Sequence, residues 1–245
     1  MAGKDGEMSF WDHLEVLRWT LLRSALAVVL LSVIFLCIPK TLFKAVLLPT
    51  EADFPLYRLP GVDFSMDLIN IELSAQFFVY MKVAVLCGVV LAFPYIIWEI
   101  WRFVSPALYE KEKKAVGTAF GLSSGLFYLG VAVGYFIVLP VCLMFFMNFS
   151  VSDEIVNTIS LGSYMSLFTG MVFLIGLLFE FPCVILELNR IGILGRETLK
   201  KGRKIAILVV LILSAIITPT DPFSMFVLAI PLYGLYELSL LFCRR

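Results

Sequence analysis

The sequence predicts an all-α integral membrane protein with six transmembrane helices in a single membrane domain, residues 1–245. Three observations predict it. First, 61% of the 245 residues are hydrophobic and only 16% are charged, with a mean hydropathy of +0.98. An ordinary soluble domain is about 45–50% apolar and roughly 25% charged. Second, six charge-poor runs punctuate the chain. Third, Lys and Arg lie fifteen to three on alternate sides of those runs, which places both termini in the cytoplasm. This composition excludes a soluble enzyme, a secreted domain and a nucleic-acid binder. The twenty-two Phe suit a surface that faces lipid.

The first run, 19–38, follows a charged head and has no small-residue cleavage site, so a retained span is expected. Its Arg23 lies in the opening turns and can snorkel to the headgroups. The second, 73–98, carries Lys82 and Pro94. The third lies within Ala115–Ser152, a stretch without a charge that is too long for one crossing. Pro140 sets its expected end, giving 115–140. The fourth, 164–188, contains Glu180. The fifth and sixth, 205–217 and 223–242, form a hairpin around Thr218-Pro219-Thr220-Asp221-Pro222. The longest outer connection, Pro39–Glu72, is expected to hold partial helices punctuated by Pro49, Pro55 and Pro60.

Charges at membrane depth cost roughly 2.5–3.5 kcal/mol each on insertion scales, so each needs a reason. Glu180 sits between Phe179 and Phe181, just before Pro182. Either it faces a polar groove or it pairs with a neighbouring span, with Lys82 as the candidate partner. Lys82 itself can snorkel outward. Asp221 suits the chemistry of the outer turn. The five Cys lie in or beside apolar runs without a CxxC pair, and His13 is the only histidine, so no metal site and no cofactor are expected. There is no phosphate-binding loop, HExxH or GxSxG, and no enzymatic activity is expected.

Two cytoplasmic segments remain. The head, Phe10–Trp19, reads as an amphipathic helix with tryptophans at the headgroup level. The inner loop Trp101-Arg102-Phe103-Val104-Ser105-Pro106-Ala107-Leu108-Tyr109-Glu110-Lys111-Glu112 sets acids beside aromatics at a cytoplasmic mouth, where they can capture a cation.

These segments carry a resemblance. His13-Leu14-x-x-Leu17-Arg18, the inner loop from Trp101 to Glu112, Tyr135-Phe136-x-Val138-Leu139-Pro140, Phe179-Glu180-Phe181-Pro182 and Thr218-Pro219-x-Asp221-x-Phe223-Ser224 follow one another in a specific order. So do Ala229-Ile230-Pro231-Leu232 and Tyr236-Glu237. Together, from about residue 9 to 243, they resemble the TatC family, the multispanning core of twin-arginine protein translocases. The resemblance implies a curved, glove-like wall of helices in the bacterial inner membrane. It implies recognition of twin-arginine signal peptides of folded cargo on the cytoplasmic face, with transport driven by the proton-motive force. It also implies a multimeric complex with single-span partners of the TatA/TatB type. By motif position, Phe103, Glu112 and Arg18 would serve the signal-peptide site, Glu180 the concave groove, and Pro49 and Asp221 the external, partner-facing part. The family's head is usually HLxELR; here Val16 holds the acid's place. Asp12, on the same helix face as Val16, and Glu15, rotated by 100°, are the two candidate replacements. A proton- or ion-coupled small-solute carrier is the competing reading, since it too would place acids at depth.

Overall fold

The structure, a computed structural model, describes residues 10–58, 64, 66–104, 113–150, 152, 157–190, 194–218 and 222–243. For residues 10, 12, 104, 113–120 and 190 it describes the backbone alone. The described residues are helical apart from connecting turns and one two-residue parallel bridge.

Helix α1, Phe10–Leu36, runs from the amphipathic head into the first apolar run without a break. No Pro or Gly interrupts it. It packs against α4, Ala75–Val104, and little else. Three contacts fix that pair. At one end the Tyr80 hydroxyl donates to the Leu36 carbonyl. In the middle Gly88 meets Ser32 so closely that a Cβ would lie 2.9 Å from the Ser32 backbone nitrogen. At the other end Arg23 approaches Glu99. The rest of α1 (Leu22, Leu26, Val29, Val33 and their neighbours) is exposed and apolar, as a lipid-facing surface should be.

The described part of the connection after α1 holds short helices at its prolines. Pro39 opens α2, Pro39–Leu47, and Pro49 lies in a 3₁₀ turn, Leu48–Thr50. Pro55 opens α3, Pro55–Arg58. Proline suits a first helical turn because its missing N–H has no partner there anyway. Pro60 lies outside the described residues. Phe54 and Tyr57 are fully buried beneath this cap. Three tyrosine hydroxyls tie the cap down: Tyr57 donates to the Pro49 carbonyl at 2.8 Å, Tyr135 to Ala45 at 2.6 Å and Tyr164 to Val46 at 2.6 Å. Strand β1, Leu68–Ile69, pairs in parallel with β2, Ile159–Ser160.

The third run departs from the expected end near Pro140. Helix α5, Lys113–Val133, passes through a π-helical turn, Gly134–Val138, into α6, Leu139–Asn148. Pro140 cannot donate a hydrogen bond, and the wide turn before it removes the need for one. The fourth run is segmented: α7, Leu161–Thr169, a second π turn, Gly170–Leu174, α8, Ile175–Leu178, and α9, Phe181–Arg190. Its break falls at Phe179-Glu180, where the Glu180 amide turns back to the Leu177 carbonyl at 3.1 Å. Pro182, just after it, leaves a ladder position empty.

The α5–α6 and α7–α9 segments cross at glycines. A Cβ on Gly130 would lie 2.7 Å from Phe179 Cβ, and one on Gly134 would lie 2.3 Å from the Met171 carbonyl oxygen. Gly176 faces Phe127 and Val131 from the other side. In lipid, where helices gain no hydrophobic drive to associate, such close backbone approach supplies the packing. Helix α10, Arg196–Lys201, precedes α11, Arg203–Ile217, and α12, Pro222–Phe242, closes the described chain. Arg203 Nη2 donates to Glu237 Oε2 at 2.7 Å and the Tyr233 hydroxyl to Glu237 Oε1 at 2.8 Å, so the late acid of α12 is neutralised within the hairpin. Among the described residues five helical stretches are long and apolar enough to cross a membrane: 13–36, 75–103, 121–148, 161–189 and 222–242.

Candidate functional site

At the head end of α1, the residues Glu15, Val16, Trp19, Thr20 and Arg23 fall at helical spacings of three and four, so they form one face. Glu99, Arg102 and Phe103, at i, i+3 and i+4 on α4, form another. The two faces enclose an open pocket of about 480 Å³. The His13 ring packs 4.4 Å from that of Phe103.

Glu99 is the deepest polar group in this pocket, with a side chain only 4% exposed. Its Oε1 accepts the Tyr95 hydroxyl at 2.9 Å, one helical turn back. Its Oε2 has no hydrogen-bond partner among the described residues. Arg23 Nη1 lies 3.7 Å from that oxygen, close enough for attraction and too far for a hydrogen bond.

The structure therefore brings Glu15, Val16 and Phe103 to the lining of one pocket. The rotation between Glu15 and Val16 does not separate them, because the pocket spans two adjacent ridges of α1. Arg18 is exposed and not among the residues lining the pocket. Asp12 belongs to α1, and by register shares the face of Val16, but its side chain lies outside the described set. Glu112 lies outside the described residues. Glu99 went unread in the sequence because it was counted with the inner loop; the signal was Tyr95 four residues earlier, a ready hydrogen-bond donor on the same face.

Glu180 occupies the break between α8 and α9. The Ser123 hydroxyl of α5 donates to its Oε2, while Oε1 is buried without a partner among the described residues. Lys82 is exposed and makes no ion pair with it. The neighbouring span thus supplies a hydroxyl where a lysine was the candidate, a residue hidden in the sequence within Gly121-Leu122-Ser123-Ser124-Gly125. Pro49 is buried, and it shapes the cap formed by the segment after α1 through its carbonyl, which accepts the Tyr57 hydroxyl. Asp221 lies outside the described residues. Among the described residues no group of three or more His, Cys, Asp or Glu could hold a metal ion.

With this geometry in hand, comparison with known proteins is decisive. The sequence profile of the family described as "Sec-independent protein translocase protein (TatC)" matches residues 12–231. The chain belongs to the TatC family. It is 38% identical to the Sec-independent protein translocase protein TatC of Desulforapulum autotrophicum, over 100% of this chain and 87% of that protein. It is 35% identical to the one from Blattabacterium sp. subsp. Periplaneta americana, over 98% and 96%. A crystal structure of the twin arginine translocase receptor TatC in DDM superposes with a TM-score of 0.82 at 31% identity, covering 95% of this chain and 100% of that one. The TatC chain described here is thus an all-α membrane protein of a Sec-independent protein translocase.

Proposed function

We propose that this TatC chain is the receptor that binds twin-arginine signal peptides of folded cargo at the α1–α4 pocket. The observation that carries the reading is the placement of Glu15 and the buried Glu99 beside Phe103 and Trp19, in a chain that matches a twin arginine translocase receptor. A guanidinium needs fixed carboxylates, and a bidentate Arg–carboxylate pair is roughly twice as strong as a neutral hydrogen bond. Aromatic faces next to those acids add cation–π attraction for Arg. By its place in the family motif we assign Glu112 to signal-peptide binding as well, and Asp12 shares the α1 face of Val16 by register.

On this reading the chain crosses the bacterial inner membrane six times, with α11 as the short fifth span and both termini cytoplasmic. It acts without catalysing a covalent reaction. It works within a multimeric complex, with TatA/TatB-type single-span proteins as partners and the proton-motive force as the energy source. Glu180 faces the concave groove, and Pro49 and Asp221 belong to the external side. Pull-down from detergent extract with a peptide carrying a twin-arginine signal, against its Lys-Lys counterpart, tests the reading. Retention by the arginine peptide alone is expected; equal retention by both refutes it.

A further inference from the structure

From the geometry around Glu99 we infer that this carboxylate receives a guanidinium of the bound signal peptide, and that Arg23 holds its place until the peptide arrives. The inference rests on the receptor reading above and deepens it by naming the acceptor.

Three observations carry it. A carboxylate this buried needs a partner, because removing a charge from water costs several kcal/mol unless it is paired and hydrogen-bonded. Glu99 is only half provided for. Tyr95 satisfies one oxygen, and the other, Oε2, has no hydrogen bond among the described residues although Arg23 stands 3.7 Å away. Arg23 is placed as a substitute and not as a locked partner: its side chain is 47% exposed and makes no hydrogen bond to Glu99, so it can return to water or headgroups at little cost. The pocket beside the open oxygen is about 480 Å³, room enough for an arginine side chain.

Among the described residues the charges lining the pocket are balanced, with Glu15 and Glu99 against Arg23 and Arg102. At Glu99 itself a cationic guest is accommodated most readily by exchange, one guanidinium leaving as another enters. Helix α4 thus contributes, from across the pocket, a carboxylate that position 16, a valine, does not.

The exchange separates the two residues experimentally, since removing the acceptor and removing its placeholder have opposite effects. The probe is a fluorescent synthetic peptide with Ser-Arg-Arg followed by an apolar run, and its Lys-Lys counterpart, titrated by anisotropy into the full chain in detergent. Glu99→Gln keeps the acceptor for Tyr95 and removes the charge. It is expected to weaken the arginine peptide by about tenfold or more, the equivalent of ~1.4 kcal/mol, while changing the lysine peptide by less than about threefold. Arg23→Gln is expected to tighten the arginine peptide several-fold. Unchanged binding by Glu99→Gln overturns the inference. So does weakening by Arg23→Gln, which would make the pair a structural tie. A wild-type chain with no preference for arginine over lysine refutes the receptor reading itself, a result distinct from both.

Discussion

Gly134 offers the sharpest test of the packing argument. A methyl group there would lie 2.3 Å from the Met171 carbonyl oxygen and 3.1 Å from Val172 Cα. Carbon–oxygen contacts between helices settle near 3.3 Å, so Gly134→Ala must part the two backbones by about 1 Å. No rotamer change relieves it, because the obstacle is main chain. A gap of that size forfeits roughly a quarter to a half of each dispersion contact, worth ~0.1–0.2 kcal/mol apiece. A crossing with on the order of 30 such contacts then loses about 1–2 kcal/mol, within the usual cost of overpacking. Alanine's better helix propensity returns at most about 1 kcal/mol. Gly125 on the same helix has open space where its Cβ would be, so Gly125→Ala keeps the propensity gain without the clash. Thermal unfolding in detergent reads the difference. Gly134→Ala should melt about 2–8 °C below Gly125→Ala, at ~2–4 °C per kcal/mol for a chain of this size. Coincident melting of the two variants refutes the reasoning.

A single cysteine placed at 180, in a background without other thiols, should react with a water-soluble maleimide in membranes, whereas one at Phe179, which is 3% exposed, should not; equal protection would show that the Glu180 site is dry. Tyr57→Phe leaves the Pro49 carbonyl without its buried donor and should cost about 1–2 kcal/mol, read as a lower melting temperature. Burial also pushes the Tyr57 phenol well above its ordinary range, so its folded state holds the proton more tightly than the unfolded chain does. The corresponding stability is whole below about pH 10 and is lost as pH rises through the folded-state value, and Tyr57→Phe should flatten that alkaline slope. Four leucines inserted after Leu211 should leave the chain folded and impair export of a twin-arginine reporter; wild-type export by that variant would show that the length of α11 is immaterial.

The sequence made the membrane class, the apolar runs and the ordered outer cap legible because each rests on local chemistry: hydropathy, charge placement and proline at helix starts. What it hid was register across helices. Glu99 and Arg23 are 76 residues apart, and only the α1–α4 crossing makes them neighbours. Ser123 and Glu180 are 57 apart and meet only because Gly130, Gly134 and Gly176 let the helices close up. The end of the third run was misjudged for a related reason. Proline reads as a stop when the helix is taken as uniformly α, and a π turn lets the same residue continue it.

Glu237 shows how one such hidden contact changes a physical conclusion about the hairpin. Read alone, an acid near the end of the sixth run shortens it, leaving both last spans too short for a bilayer core of ~30 Å. With Arg203 at 2.7 Å and Tyr233 at 2.8 Å, the charge is compensated inside the protein and α12 continues past it. At 1.5 Å per residue the 21 residues of α12 reach ~31 Å, whereas the 15 of α11 reach only ~22 Å. On the six-span reading proposed above, the mismatch therefore belongs to α11 alone. Tilting cannot cure a deficit, so lipid must thin there or neighbouring protein must cover the ends. Lys200, Lys201, Arg203 and Lys204 cluster at the start of α11, its cytoplasmic end on that reading, where long stems can reach displaced headgroups. Arg203 is already engaged with Glu237, so three of the four are left to do so. On that reading the Arg203–Glu237 pair keeps α12 at full length while fixing the short helix against it, and any thinning is confined to the α11 edge of the hairpin.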